Sequence, residues 1–370
     1  MEFLYLSEND MLKAGVLNAK RCVEVMDEVF QLLGKGDYLM GGPEVDNHGL
    51  MLWYPSKSKF PNMPTAGSDK RFMAMPAYLG GRFHVSGLKW YGSNRANIEK
   101  GLPRSILMLC LNDADTGAPI AIMSANLLSA MRTGSVPGVA AKYLANKSAA
   151  HLAVIGCGVI NRAATRAILE NMQNAKVLHL CDILPEQSAK FAEEIQKEYS
   201  LECVFTDSVQ DAVQMADIIS VAASGEEGIY IDPDWLKPGC LLTSSGAMNL
   251  PDKAFLENIV AFDHWPMHKL WLEEALLHKD GLDVGLGWGA TSYPVLKMTH
   301  DGKLDSRKFV SLSDVAASGK AVRQSEDEVM IFFSGGLPVE DVAWGKECYE
   351  QAKKLGLGHN NKVWDTPHWK

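Results

Sequence analysis

Several common protein classes are excluded by what this sequence of 370 residues has little of. It contains fewer Lys and Arg residues (36) than Asp and Glu residues (45), its net charge is −9, and it has no basic cluster. Because nucleic-acid binding depends on clustered Lys and Arg, no nucleic-acid partner is expected. The longest apolar runs, such as residues 106–111, are far shorter than the roughly eighteen residues of a membrane span, so no membrane partner is expected either.

The seven cysteines are scattered and include no Cys-x-x-Cys pair, which argues against structural disulfides and a thiolate zinc site. His264 and His268 have the i, i+4 spacing of metal ligands on a helix, but Pro266 lies between them and the pattern supplies no third ligand. A surface segment is therefore expected there. The first twenty residues lack the order of a signal peptide. We expect a cytoplasmic protein without a bound metal.

The composition, with 47% hydrophobic and 22% charged residues, is that of a folded globular protein, and the length predicts two domains. Up to about residue 130, helical and strand patterns are mixed. The spacing predicts a helix over 18–33 and a long exposed loop over 49–68. Strands are predicted over 72–78, 84–91, 105–111 and 120–123, with a hairpin turn at Asp115-Thr116-Gly117.

From about residue 150, short apolar segments alternate with helical patterns. Strands are predicted at 151–155, 177–181, 204–205, 218–222, 241–244 and 259–262, and helices at 162–172, 185–198 and 209–215. This alternation predicts a parallel sheet covered by helices on both faces, which is a doubly wound α/β fold. After about residue 315 the pattern returns to helices and one apolar strand at 329–333.

A glycine turn follows the first of these strands and predicts a dinucleotide site. Gly156 and Gly158 stand where a strand runs into a helix, as pyrophosphate binding requires, and Val159 and Ile160 open that helix. The third glycine of the usual fingerprint is replaced by Asn161. The alternative is that this is only a tight strand-to-helix turn.

The same site indicates which dinucleotide binds. Asp182 ends the next strand, where a carboxylate can bond the ribose hydroxyls and would repel a 2′-phosphate. No arginine follows it to compensate. The sequence therefore favours NAD over NADP.

These features occur together with a series of motifs by which the chain resembles the ornithine cyclodeaminase and mu-crystallin family. The motifs are Met75-Pro76-Ala77-Tyr78, Leu88-Lys89-Trp90-Tyr91, Asp115-Thr116-Gly117-Ala118-Pro119, Arg132-Thr133 with the helix after it, the glycine turn, Trp235-Leu236-Lys237-Pro238-Gly239 and the segment from Phe333 to Asp341. The resemblance implies a Rossmann dinucleotide-binding domain over 131–314. It also implies an α+β substrate-binding and dimerisation domain built from 1–130 and 315–370, in a homodimer.

The resemblance implies hydride exchange at the α-carbon of an amino or imino acid, with Lys89 and Arg132 holding the substrate carboxylate. The residues themselves agree, because Lys89 lies in an apolar strand on the face of Val85, Gly87 and Tyr91, where an ammonium needs an anion. The alternatives are a solvated edge lysine at 89 and a surface charge at the start of a helix at 132.

Further cofactor contacts are implied by the same resemblance. Thr133 is expected to bond the nucleotide or its phosphate, and Ser334 to line the nicotinamide end. Ser224 is a further candidate for cofactor binding. Thr133 and Ser334 could equally be caps of nearby helices.

Two departures from the family pattern concern the chemistry. Cyclodeaminases place a general acid and base aspartate where this chain has Asn249, and an amide cannot shuttle a proton near neutral pH. A shift in alignment would make Asp252 that carboxylate. An arginine expected in the first strand as a second carboxylate ligand is also absent, because residues 42–46 are acidic.

We therefore predict an NAD-dependent imine reductase or amino-acid dehydrogenase, with Lys89 or an ordered water supplying the proton and Asn249 at the third catalytic position. Two alternatives stay open. One is an ornithine-type cyclodeaminase that releases ammonia and regenerates NAD. The other is a nucleotide-bound binding or accessory subunit with little turnover, because the chain looks similar to family members known as an accessory subunit of an amine (tyramine) oxidase.

Overall fold

The computed structural model describes residues 1–223, 228–278, 281–286 and 291–369, with the side chains of residues 284 and 286 excepted. Within these residues, no helix is both long and apolar enough to cross a membrane. The chain divides into two compact units. The terminal unit comprises Met1–Asn18, Gly36–Arg132 and Leu337–Lys370, and the central unit comprises Ala19–Lys35 and Thr133–Gly336.

The described residues form strands and α-helices that we number in chain order. The strands are β1 (Glu2–Leu6), β2 (Tyr38–Met40), β3 (Leu50–Trp53), β4 (Arg71–Leu79), β5 (Val85–Ser93), β6 (Ser105–Asp113), β7 (Pro119–Ser124), β8 (His151–Ile155), β9 (Val177–Cys181), β10 (Glu202–Phe205), β11 (Ile218–Val221), β12 (Ile229–Tyr230), β13 (Leu241–Ser244), β14 (Met248–Asn249), β15 (Ile259–Phe262), β16 (Val310–Ser311), β17 (Met330–Phe333) and β18 (His359–Lys362). The helices are α1 (Glu8–Lys13), α2 (Ala19–Lys35), α3 (Asn126–Leu144), α4 (Val159–Leu169), α5 (Pro185–Glu198), α6 (Val209–Gln214), α7 (Asp252–Glu257), α8 (Trp265–Leu276), α9 (Leu282–Leu286), α10 (Tyr293–His300), α11 (Leu312–Ser318) and α12 (Pro338–Leu355).

The terminal unit is built on one mixed sheet in the order β18-β1-β7-β6-β5-β4-β2, with β3 also paired to β4. Strands β4 to β7 are antiparallel neighbours, as their alternating patterns and the turn at Asp115-Thr116-Gly117 predict. Helix α12 packs on β4, β5 and β6. The side chains on that face are buried and those on the other face are more exposed.

A close approach fixes the position of α12 over β5. A Cβ atom at Gly87 would lie 2.9 Å from both the Cys110 carbonyl oxygen and the Val342 side chain. Glycine is therefore the residue that lets helix and strand come this close. Because Val342 follows Asp341 and Gly87 lies two residues from Lys89, the same contact brings Asp341 to Lys89.

The central unit contains a parallel sheet in the order β10-β9-β8-β11-β13-β17-β15-β16. The first five positions have the order 3-2-1-4-5 of a doubly wound dinucleotide-binding fold, with its switch point between β8 and β11. The central strands β11 and β13 are buried along their whole length, as expected for a sheet covered on both faces. The predicted doubly wound fold is confirmed.

The two units differ from the predicted domain bounds at two places. Strand β17 lies between β13 and β15 in the parallel sheet, so the chain leaves the central unit at Gly336 and not near residue 315. Helix α2 packs on α11, where a Cβ atom at Gly34 would lie 2.2 Å from the Ser313 carbonyl oxygen, so α2 belongs to the central unit. Both differences arise from contacts between residues far apart in sequence.

Candidate active site

The terminal unit buries two cations next to each other. Lys89 lies in β5, in the interior of the sheet between β4 and β6, and only 3% of it is exposed. Arg132 lies in the second turn of α3 and is 5% exposed. The side chain of Asn126, the first residue of α3, bonds to the backbone of Ser105 and Leu107, which fixes the start of the helix beside β6. The solvated positions considered for Lys89 and Arg132 are therefore wrong.

Both cations are paired with carboxylates from the first turn of α12. The Lys89 Nζ lies 2.6 Å from Oδ2 of Asp341. Arg132 donates from Nε to Oδ1 of Asp341 at 2.9 Å and from NH1 to Oε2 of Glu340 at 2.6 Å. Glu340 and Asp341 are fully buried. The four side chains, which we call the Lys89 cluster, have a formal charge of zero.

Burial and charge act in opposite directions on the two cations. Burial, helped by the positive charge of Arg132, lowers the pKa of Lys89 to about 8 despite the carboxylates of Asp341 and Glu340. Burial alone would also lower the pKa of Arg132, but Asp341 and Glu340 outweigh it and raise that pKa above its usual value. Arg132 therefore stays charged, while Lys89 loses its proton near pH 8.

Sequence reasoning missed the two carboxylates. Glu340 and Asp341 follow Pro338, which occupies the first turn of α12 as proline often does, and acidic residues in a first turn are stabilised by the helix dipole. This pattern reads as ordinary helix capping. The position of the helix over β5 depends on tertiary packing, which the pattern does not contain.

The central unit holds the glycine turn at the carboxyl end of β8. Gly156 has a φ of +87°, and Gly158 is the N-cap of α4. A Cβ atom at Gly158 would meet open space, so a ligand can approach the backbone there. Val159 and Ile160 begin α4, and their backbone N–H groups belong to the helix turn that favours an anion.

Asp182 lies beside this turn at the end of β9. Its Oδ2 accepts a hydrogen bond from the backbone N–H of Cys157 at 2.6 Å, and its Oδ1 accepts one from Leu184 at 2.9 Å. The structure thus brings together Gly156, Gly158, Val159, Ile160 and Asp182, which are the predicted cofactor-binding residues at this end of the sheet.

Asn161 has a role that a third glycine could not have. It is fully buried, and its Nδ2 donates to the carbonyl oxygens of Ile155 at 2.9 Å and Gly156 at 2.7 Å. Its Oδ1 accepts from the Ser220 hydroxyl at 2.7 Å. The amide thus ties the glycine turn to β11.

Ser334 follows β17 at the same edge of the parallel sheet. It is 5% exposed, and its Oγ has no hydrogen-bond partner among the residues that the structure describes. The buried Oγ of Ser245, directly after β13, is in the same situation. β17 lies three strand positions, or roughly 14 Å, from β8. The two hydroxyls therefore lie on the same edge of the sheet as the glycine turn, but further along it. Thr133 lies in α3 and is partly buried, and Ser224 falls outside the described residues.

A buried Asp–His pair supports the turn after Ser334. Asp263 accepts from His268 Nε2 at 2.8 Å through Oδ1, and from the backbone N–H groups of Gly335 at 2.6 Å and Gly336 at 3.1 Å through Oδ2. Burial would raise the pKa of Asp263, but His268 and these donors lower it. His264 and His268 are both buried, so the expected surface segment is wrong: the imidazoles bond to Ser313 and Ser292 inside the unit.

The predicted acid and base position lies in the central unit. Asn249 is exposed in β14, which pairs with β12. Asp252, considered as the alternative carboxylate, begins α7 and pairs with Lys303 at 2.8 Å at the surface. Neither belongs to the unit that holds Lys89 and Arg132.

The residues present fit a dinucleotide. One edge of the sheet carries a left-handed glycine, open space at the second glycine, the first turn of α4 and a carboxylate at the end of β9. The same edge carries two buried hydroxyls that have no hydrogen-bond partner among the described residues. This is the edge at which doubly wound folds bind nucleotides.

Comparison with known proteins gives the same result. A family model described as the ornithine cyclodeaminase/mu-crystallin family matches residues 16–356. The chain is 25% identical over 362 residues to N-((2S)-2-amino-2-carboxyethyl)-L-glutamate dehydrogenase of Staphylococcus aureus, covering 96% of this chain and 97% of that protein. It is 29% identical over 292 residues to alanine dehydrogenase of Archaeoglobus fulgidus, covering 78% and 83%.

A solved structure extends the similarity to the fold. The Thermococcus litoralis Δ(1)-pyrroline-2-carboxylate reductase in complex with NADH and L-proline matches with a TM-score of 0.78 and 26% identity, covering 96% of this chain and 99% of that chain. With the family model spanning most of the sequence, the chain belongs to the ornithine cyclodeaminase/mu-crystallin family.

Proposed function

We propose that this chain is an NAD-dependent oxidoreductase acting on the C–N bond of an amino or imino acid. The observation that carries the proposal is the Lys89 cluster, in which a permanently charged Arg132 stands beside a lysine with a pKa of about 8. Relatives named for alanine dehydrogenase and pyrroline-2-carboxylate reductase activity support it. The dinucleotide is held by Gly156, Gly158, Asp182 and Ser334.

The first task of the cluster is to bind the substrate carboxylate. Lys89 and Arg132 supply several N–H donors within a few ångströms of each other, and Glu340 and Asp341 occupy only part of them. A carboxylate held here fixes the α-carbon, and positioning is most of what a protein contributes to a hydride transfer. Burial strengthens each of these charge-assisted hydrogen bonds.

The second task is proton transfer. Reduction of a C=N bond adds a hydride to carbon and a proton to nitrogen, and NADH supplies the hydride when it is bound. The amide of Asn249 cannot deliver the proton. A lysine with a pKa of about 8 can, because a general acid works best when its pKa lies near the working pH. We assign the proton to Lys89 or to a water that it orients.

A second candidate function is a nucleotide-bound accessory subunit with little turnover. The observation that favours it is the exposed amide at Asn249, where cyclodeaminases have an acid and base. A third is cyclodeamination, which releases ammonia without net change in NADH. Binding of a substrate carboxylate to the Lys89 cluster is common to all three, so turnover must separate them.

An activity screen separates these functions. The screen tests amino acids with NAD in one direction. In the other direction it tests NADH with cyclic imino acids, or with 2-oxo acids and amines together. At least one substrate should give a net change in NADH absorbance. Arg132→Lys should lower kcat/KM about 10- to 100-fold, because a hydrogen bond to a charged group contributes about 1.5 to 3 kcal/mol. Lys100→Ala, at an exposed lysine of the same unit, serves as control.

Ammonia release without net NADH change would instead support cyclodeamination. Tight NADH binding without either signal would support the accessory subunit. Either result would contradict the proposed oxidoreductase.

The pKa of Lys89 predicts the pH dependence of reduction. Its pKa lies below the usual 10.5, so the ammonium is present below about pH 8 and is lost as pH rises through that value. The kcat/KM for imine reduction should therefore fall about tenfold per pH unit above 8. Lys89→Arg keeps the charge, so it should abolish the fall in kcat/KM above pH 8. It should also lower kcat by a larger factor than it raises KM. A wild-type profile that stays flat to pH 9.5 would contradict the assignment.

We also propose that the protein is a homodimer, with a cytoplasmic location kept as a prediction. The face of the terminal sheet opposite α12 carries exposed apolar side chains on four neighbouring strands: Leu50 and Leu52 on β3, Phe72 on β4, Trp90 on β5, and Ile106 and Met108 on β6. The strand pairing places them side by side, and the Phe72 and Trp90 rings are 5.8 Å apart. A second copy can cover such a face with the same face of its own, as twofold symmetry requires.

The dimer is tested by sedimentation equilibrium. A double change, Trp90→Glu with Met108→Glu, should convert a wild-type dimer into a monomer, because it would bury two charges in an apolar contact without partners. Leu277→Glu, at an exposed leucine of the central unit, should leave the mass unchanged. A monomeric wild type, or a double variant that remains dimeric, would show that this face is not the interface.

A further inference from the structure

A second group of charged side chains lies at the end of β5, whereas Lys89 lies in the middle of that strand. Arg71 begins β4, directly opposite Ser93 at the end of β5, and Ser93 is in turn paired with Ser105 at the start of β6. Asp69 precedes β4, and Arg104 precedes β6. We call Asp69, Arg71, Ser93 and Arg104 the Arg71 cluster.

The strand register places this cluster on the same face of the sheet as Lys89. Lys89 is paired with Met75, and Tyr91 with Met73, so Arg71 follows at the next inward position of β4. Residues 89, 91 and 93 of β5 alternate with residues that face the other side. One inward-facing row therefore runs from Lys89 through Tyr91 to the Arg71 cluster.

The Arg71 guanidinium is held firmly but is only partly paired. Its Cζ lies 5.3 Å from the centre of the Trp53 ring and 5.5 Å from that of Tyr91. Its NH1 forms an ion pair with Asp69. Its buried Nε has no hydrogen-bond partner within the described part of the chain, and the side chain is 19% exposed. An arginine held between aromatic rings with one N–H edge unpartnered is suited to bind an anion.

The charges of the cluster do not cancel. Asp69 is the one carboxylate of the cluster. It pairs with Arg71, accepts a hydrogen bond from the Ser93 hydroxyl at 2.5 Å and forms a longer ion pair with Arg104 at 3.4 Å. Asp69 is held with a φ of +49°, a left-handed conformation that few non-glycine residues adopt. Two arginines and one aspartate leave one net positive charge, whereas the Lys89 cluster is neutral.

The spacing between the two clusters limits what can bridge them. Lys89 Nζ lies 6.0 Å from the centre of the Tyr91 ring, and Arg71 Cζ lies 5.5 Å from the same point. The distance between Lys89 Nζ and Arg71 Cζ therefore cannot exceed the sum of these two distances. Hydrogen bonds of about 2.9 Å at each end leave at most about 5 to 6 Å between the nearest oxygens of the two carboxylates, a span that dicarboxylic acids of about four to six carbons can reach.

We propose that the Arg71 cluster binds a second carboxylate, on the substrate side chain, and that the substrate is a dicarboxylic amino or imino acid. The proposal rests on the proposed function in one respect: it takes the Lys89 cluster as the site of the first carboxylate. Tyr91, whose Oη lies 3.2 Å from the Ser105 hydroxyl, separates the two carboxylate sites. Arg71 is then the residue that determines side-chain specificity.

The test is equilibrium binding to the NADH-loaded protein, which needs no turnover. Calorimetric titrations compare succinate, glutarate and adipate with butanoate, pentanoate and hexanoate, which have the same carbon counts. We expect at least one dicarboxylate to bind tenfold or more tightly than its monocarboxylate partner. Arg71→Gln should remove that preference and leave monocarboxylate affinity unchanged, and Arg71→Lys should retain part of it. Arg82→Gln, at an exposed arginine of the same unit, is the control.

The outcomes separate this inference from the proposed function. No dicarboxylate preference in the wild type overturns the inference, and so does an Arg71→Gln variant that weakens both ligand classes equally. A preference lost in Arg71→Gln supports it even if the activity screen finds no turnover, in which case only the proposed oxidoreductase fails. Arg132→Lys should weaken both ligand classes, and an unchanged affinity there would remove the first carboxylate site and the inference with it.

Discussion

The burial of Lys89 beside Arg132 is the constraint on which the terminal unit depends. Two neighbouring cations removed from water need carboxylates, because unpaired buried charge costs several kcal/mol. Glu340 and Asp341 meet that need from the first turn of α12, at the other end of the sequence. The cluster thus explains why both chain ends build one unit. It also leaves Lys89 with a pKa close to the pH at which enzymes work.

The central unit is under a different constraint, because the anion site at the edge of its sheet must stay accessible. The backbone at Gly156 has a positive φ that other residues avoid. The amide of Asn161 holds this conformation by donating a hydrogen bond to the Gly156 carbonyl oxygen. Asp182 bonds to the same turn, so the carboxylate and the turn are positioned together. Along the edge, Asp263 anchors the backbone after Ser334 through Gly335 and Gly336.

Much of this could be predicted from the sequence, because the signals are local. Strand alternation, the glycine turn and the isolated lysine of β5 depend on residues within a few positions of each other. The carboxylates of α12, the packing of α2 on α11 and the place of β17 in the sheet depend on contacts between residues far apart in the sequence. The surface position expected for His264 and His268 is wrong because Pro266 suggests an exposed turn, whereas proline in the first turn of α8 is compatible with burial. The Arg71 cluster gives no sequence signal because its members are individually ordinary surface residue types.

The central claim is that Lys89 is buried and has a lowered pKa, which lets its ammonium act as an acid. Side-chain NMR tests this claim directly. Protein labelled with ¹³C and ¹⁵N in lysine is titrated from pH 6 to 11, with Lys89→Arg used to assign the resonance. The account predicts one lysine that titrates near pH 8 and shifts upward when a carboxylate ligand binds. A Lys89 midpoint near the usual 10.5, unaffected by carboxylate, would contradict it.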